Sequence, residues 1–252
     1  MAIFCSGTSN IELVEKNKKA FPPEFQSKSR LTYYSSLFNS VEINSTFYKL
    51  PLPATLEKWA AEVPEGFRFT LKLWREITHA GNFAFTKEQV TRFMGIADHI
   101  GRKKGALLVQ LPAGIGGVHI GQLEILLKEL QKFNPDAWQI AVELRHKSWY
   151  TQQVYSLLDS FGAALVWHDK PFLDEDKFYE RGPFIYLRFH GPNGDYKGSY
   201  PDAQLREQAG HIRSWLAEGK NVYAYFNNTM EGDAPRNLIT LNNRVASAGS
   251  IR

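Results

Sequence analysis

Ala141-Val142-Glu143-Leu144-Arg145-His146-Lys147-Ser148-Trp149 is the stretch on which the fold turns. In an extended chain successive side chains point to opposite sides, so Val142 and Leu144 share one side while Ala141, Glu143 and Arg145 share the other. An apolar side thus backs a side that ends in an acid and a base. Full charges buried without partners are costly. This strand therefore ends either at a wet, functional edge or on an ion pair.

The same alternation recurs along the chain. Strands are expected over residues 2–6, 40–44, 67–72, 106–111, 163–169, 184–190 and 221–227 besides the first stretch. Helical spacing lies between most of them, over residues 29–38, after a Thr55 cap, and over 87–100, 120–133, 154–161, 201–218 and 235–245. Points near the strand ends (Ser6, Asn44, Lys72, Gln110, Glu143, Asp169, His190, Asn227) lie 21 to 38 residues apart. That spacing suits βα units of about 30 residues, and a (β/α)8 barrel of this kind takes about 250. The chain has 252. One α/β domain over residues 1–252, a TIM-type barrel with a frayed tail over 246–252, is the expected architecture. An open doubly wound sheet is the alternative, but its strands would be apolar on both faces.

Composition narrows the function classes. Thirty basic residues face 26 acidic ones, for a net charge of +4. This mixed surface lacks the clustered basic footprint of a dedicated nucleic-acid binder. One cysteine, Cys5, excludes an internal disulfide and a thiolate metal cage. There is no basic-then-apolar start and no run of about 18 apolar residues, so a cytoplasmic protein without membrane contact is expected. The glycines at 114, 116 and 117 fit neither a dinucleotide loop nor a P-loop, and no nucleotide cofactor is indicated.

One parity rule locates the chemistry. If apolar residues face the helices, their alternates face the lumen. Near the strand ends these are Glu42, Asn44, Lys72, Gln110, Glu143, Arg145, Arg188, His190 and Asn227. On the sixth strand either His168 or Asp169 joins them. Active sites of such barrels lie at that C-terminal face; the competing reading is a structural polar plug. Two carboxylates in different settings can divide acid and base roles. Glu143, beside Arg145, is expected to be ionised and to act as base, with Glu42 or His190 as acid. Arg145, Arg188 and Lys72 are expected to clamp an anion. Asn44, Gln110, Asp169 and Asn227 are expected to complete the substrate site. Glu42, Glu143, His168, Asp169 and His190 also form a nitrogen and oxygen ligand pool for a divalent metal, though without ligand spacing. His79, His119, His146 and His211 read as loop or surface histidines.

Several stretches resemble the YecE-like family, a domain of unknown function. They are Phe38-Asn39-Ser40-Val41-Glu42-Ile43-Asn44-Ser45-Thr46-Phe47-Tyr48, Lys72 through Ile77-Thr78-His79, and Gln110-Leu111-Pro112. Glu143-Leu144-Arg145-His146-Lys147-Ser148-Trp149, Arg188-Phe189-His190-Gly191 and Tyr225-Phe226-Asn227-Asn228 carry the rest. The resemblance spans nearly the whole chain. It implies a single TIM-type barrel and a bacterial-type cytoplasmic protein, and it implies no established reaction. After Gly7-Thr8-Ser9 the family's usual Gly-Trp gives way here to Asn10-Ile11-Glu12.

Three functions fit these residues. The first is acid–base chemistry on a small phosphorylated or carboxylated substrate, by hydrolysis, lysis or isomerisation. The second is a metal-dependent hydrolase or phosphodiesterase, with nucleic acid as a less favoured partner. The third is a protein that binds an anionic ligand without converting it. The oligomeric state is not legible in the sequence.

Overall fold

Parallel strands alternate with helices in chain order. Strand β1 (Phe4–Thr8) precedes helix α1 (Arg30–Leu37), and β2 (Ser40–Ile43) leads through the single turn α2 (Ser45–Tyr48) to α3 (Pro53–Ala61). Next come β3 (Arg68–Lys72), the short α4 (Arg75–Thr78) and α5 (Lys87–Ala97). Then follow β4 (Lys104–Leu111), α6 (Ile120–Lys132), β5 (Gln139–Leu144) and α7 (Gln152–Ser160). The last elements are β6 (Ala164–Leu165), β7 (Trp167–His168), β8 (Phe184–Phe189), α8 (Asp202–Ala217), β9 (Asn221–Phe226) and α9 (Ala234–Ala246). This computed structural model describes residues 2–133, 138–170 and 182–247. Most of the expected frayed tail, from residue 248 on, lies outside the described residues.

The strands form two parallel arcs, in the order β1-β9-β8-β7 and β2-β3-β4-β5-β6. Two seams join them. At one, Ser9 bridges Glu42, and the Asn10 N–H donates to the Glu42 carbonyl at 2.7 Å. At the other, β6 and β7 are halves of one strand split at Val166, whose N–H donates to the Val142 carbonyl at 2.9 Å. The expected continuous strand over 163–169 is therefore interrupted. The circuit is a TIM-type barrel, and closure removes the sheet edges that the doubly wound alternative requires.

Strand β1 runs two residues past its expected end because Gly7 allows it. A Cβ at Gly7 would sit 2.1 Å from the Ser40 carbonyl oxygen. With hydrogen there instead, β1 lies close against β2. The Tyr34 hydroxyl accepts from the Thr8 N–H at 2.7 Å and donates to the Ser40 carbonyl at 3.0 Å. Helix α3 starts at Pro53 rather than after Thr55, since the preset φ of proline suits the first helical position.

The alternation sorts side chains as the parity rule requires. Val41, Ile43, Leu71, Val109, Val142 and Leu187 pack with helix residues such as Leu31, Val90 and Leu126 in the outer core. Their strand alternates Cys5, Leu108, Ala141, Val166, Tyr186 and Tyr225 form a separate cluster inside the barrel. At about 25 cal/mol per Å² of apolar surface, both clusters contribute stability, and the outer one is larger. The lumen is thus apolar in its lower part and turns polar toward the C-terminal ends of the strands. No described helix is long and apolar enough to cross a membrane.

Candidate functional site

Arg188, from the penultimate position of β8, is the centre of the polar layer. Its Nη2 and Nε donate to Glu42 Oε1 and Oε2 at 2.7 and 2.9 Å. Its Nη1 donates to Glu143 Oε2 at 2.5 Å. Glu42 also accepts from Ser9 Oγ at 2.6 Å and from the Tyr186 hydroxyl at 2.7 Å. Two donors on each oxygen fill the acceptor sites of that carboxylate. Burial works against ionising Glu42, but Arg188 outweighs it and holds the carboxyl below its ordinary range. Glu143 is likewise buried, and Arg188 and Arg145 hold it well below that range. Both carboxylates are therefore ionised, and Glu42 does not fit the expected role of acid.

His190 continues this layer. An arginine nitrogen only donates, so the 3.1 Å contact from Arg188 Nη1 makes His190 Nε2 an acceptor. The ring proton then sits on Nδ1 and faces Asp169 Oδ1 at 3.2 Å. Asp169 also accepts from the His190 backbone N–H at 2.9 Å and from the Tyr200 hydroxyl. Burial, reinforced by Arg188, pushes the imidazole down to about 4, and it is neutral at neutral pH. His168, not Asp169, takes the lumen parity. It is buried and lies edge-on to His190, while Trp167 packs into the outer core.

Above this saturated layer lies a cationic one. Arg145 Nε donates to Glu143 Oε1 at 2.5 Å, and its Nη1 donates to the Tyr196 hydroxyl at 3.2 Å. Lys170 Nζ lies 3.9 Å from the centre of the Tyr196 ring and donates to the Gly194 carbonyl. Tyr196 has φ of +70°, a strained conformation for a side chain of this size that costs about 1–2 kcal/mol. Its N–H bonds the His190 carbonyl and its carbonyl accepts from the Met230 N–H, which holds that conformation in place. Burial would raise the Tyr196 phenol, but Arg145 and Lys170 lower it below its ordinary value. Lys72 Nζ donates to Gln110 Oε1 at 2.7 Å and lies 4.2 Å from the Phe47 ring centre. Burial first, then the charge of Arg188, lowers that ammonium to about 8. His79 packs edge-on to the same Phe47 ring and is lowered to about 4 by burial and by Lys72.

A family model described as "Protein of unknown function DUF72" matches residues 5–251. The chain belongs to the DUF72 family. Bacillus subtilis (strain 168) UPF0759 protein YunF is 26% identical over 251 residues, spanning 86% of each chain. Escherichia coli (strain K12) UPF0759 protein YecE is 30% identical over 122 residues, 48% of this chain and 43% of that protein. A crystal structure of a DUF72 family protein from Enterococcus faecalis V583 superposes with a TM-score of 0.80 at 22% identity, covering 96% of this chain and 95% of that one. A xylose isomerase-like TIM barrel/4-hydroxyphenylpyruvate dioxygenase fusion protein shares the fold at a TM-score of 0.56 and 15% identity, covering 98% of this chain and 44% of that one.

In this DUF72 barrel, Glu42, Glu143, Arg188, His190 and Asp169 are brought into one hydrogen-bonded layer, with Arg145, Lys72 and Gln110 directly above or beside it. Asn44 and Asn227 are not joined to it by side-chain hydrogen bonds among the described residues. Asn44 heads α2, its N–H bonds Asn10 Oδ1, and its own Oδ1 is a buried acceptor with no donor among the described residues. Asn227 donates its backbone N–H to the Phe189 carbonyl. Arg188 is not the exposed anion clamp expected of it, since carboxylates occupy both ends of its guanidinium. Tyr196, Lys170, Phe47 and His79 belong to the mouth and escaped the parity rule, because all four lie outside regular strands. Among the described residues, no group of three His, Cys, Asp or Glu side chains is placed to hold a metal. Glu42 and Glu143 already face guanidinium nitrogens, so a divalent ion would have to displace Arg188. This donor set does not fit a resident metal.

Proposed function

We propose that the mouth of this barrel binds a small phosphorylated or carboxylated molecule and carries out acid–base chemistry on it. The supporting observation is the division into layers. Below, Arg188 neutralises Glu42, which Ser9 and Tyr186 help to saturate, and shares Glu143 with Arg145. Above, Arg145, Lys72 and Lys170 present positive charge toward the strand ends, where barrels of this type do chemistry. The polar-plug reading thus suits the lower layer, and the site reading suits the upper one.

The roles follow from the electrostatics. Arg145, held by Glu143, offers a fixed guanidinium to an anion, and Lys170 adds a second cation. Glu143 orients Arg145; a carboxylate clasped by two arginines is a feeble base. Lys72, lowered to about 8 by burial and Arg188, and Tyr196, whose phenol Arg145 and Lys170 lower against the effect of burial, are better matched to proton transfer than an ordinary lysine or tyrosine.

The test is calorimetric titration with inorganic phosphate and pyruvate, followed by proton NMR of the bound acid in deuterated water. Binding that is lost in Arg145→Ala, with exchange at the carbon next to the carbonyl lost in Lys72→Met, is the expected result. Equal binding by wild type and Arg145→Ala would contradict the proposal.

A further inference from the structure

Charge balance singles out Lys72. Glu143 and Glu42 are the carboxylates whose charge acts on it, and Arg188 and Arg145 pair with both of them. Two guanidiniums against two carboxylates leave no residual negative charge for a third cation. Among the described residues, no carboxylate lies within ion-pair distance of Lys72 Nζ. Its contacts are an amide oxygen on β4 and an aromatic ring on α2. Both hold the nitrogen in place without neutralising it. Of the charged groups around it, Arg188 and Arg145 oppose the ammonium, while Glu143 and Glu42 favour it from behind their arginines. The side chain is half-buried at the end of β3, on the lumen side.

We infer that Lys72 is an amine nucleophile that forms an iminium with the carbonyl carbon of a small anionic aldehyde, ketone or 2-oxo acid. This rests on the mouth being an anion site, because Arg145 would hold the carboxylate or phosphate while Lys72 meets the carbonyl. The step balances without an oxidant or reductant. The ammonium gives one proton to solvent, and the nitrogen lone pair adds to the carbonyl carbon as the carbonyl π pair moves to oxygen. The carbinolamine oxygen then leaves as water, taking one proton from nitrogen and one from solvent, and a C=N bond forms with the positive charge retained. A desolvated lysine beside other cations is the arrangement that leaves an amine free to do this near neutral pH.

The experiment is reductive trapping. The whole protein is incubated with pyruvate and cyanoborohydride at neutral pH, then digested, and each lysine peptide is weighed. At an amine pKa of about 8, free base is far more abundant than on an ordinary lysine, so Lys72 should be labelled roughly tenfold over surface lysines after allowing for its lower basicity. Mapping the wild-type protein reads the site without any variant. Lys72→Arg, checked for folding by circular dichroism, should lose that label, and Arg145→Ala should lose it with pyruvate but keep it with propanal. Calorimetry with pyruvate separates the two levels of the argument. Pyruvate binding with label spread over surface lysines would overturn the nucleophile and leave the anion site standing. Neither binding nor Lys72 label would overturn both.

Discussion

Arg188 and Glu42 form a two-pronged ion pair sealed from solvent, with nitrogen-to-oxygen distances of 2.7 and 2.9 Å and side chains 1% and 0% exposed. Removing one member of a buried pair leaves the other charge without its partner, which costs about 3–5 kcal/mol. Glu42→Gln should therefore lower the unfolding free energy by about 3 kcal/mol, near the bottom of that range because Glu143 still faces Arg188. Urea denaturation measures this. A loss below about 1 kcal/mol, the scale of a surface pair, would mean that the pair is not buried as described.

The buried groups also set how stability depends on pH. His190 is lowered to about 4 when folded, so between about 6.5 and 4 the unfolded chain takes up a proton that the folded one refuses. Stability should fall across that window as pH drops, by about 3 kcal/mol from His190. Glu42 and Glu143 have lowered folded values. Their contribution is present above the unfolded carboxylate value of about 4.3 and is lost as pH falls through the folded ones. Urea midpoints at several pH values test the sign. A His190→Asn variant with an unchanged slope between pH 6.5 and 4 would contradict the assignment.

How much of this was legible in sequence depends on periodicity. Glu42, Glu143 and Arg188 sit on strands whose every-other-residue pattern shows which side faces inward, and that pattern holds in the barrel. Their partners were not legible. Glu42 has no charged neighbour within its own strand, and the arginine that ionises it lies 146 residues away. That distance is why Glu42 reads as an acid in the sequence and as a saturated carboxylate in the fold. Tyr196, Lys170 and His79 lie where no alternation exists, and Asn44 leaves the strand pattern because it already has helical backbone angles.

Tyr196 should titrate below an ordinary tyrosine, because Arg145 and Lys170 stabilise its phenolate against the effect of burial. An alkaline titration followed by phenolate absorbance should show one early component that disappears in Tyr196→Phe. In Arg145→Ala the same component should move up toward about 10. An unchanged titration in Tyr196→Phe would show that the phenol is not the group held between those cations.

The cationic outer layer is tested most directly by soaking crystals in selenate, an oxyanion visible by its anomalous scattering. An anomalous peak within hydrogen-bond distance of the Arg145 guanidinium and the Lys72 ammonium is the predicted result. Peaks confined to lysines on the outer helices, with none at the barrel mouth, would contradict it.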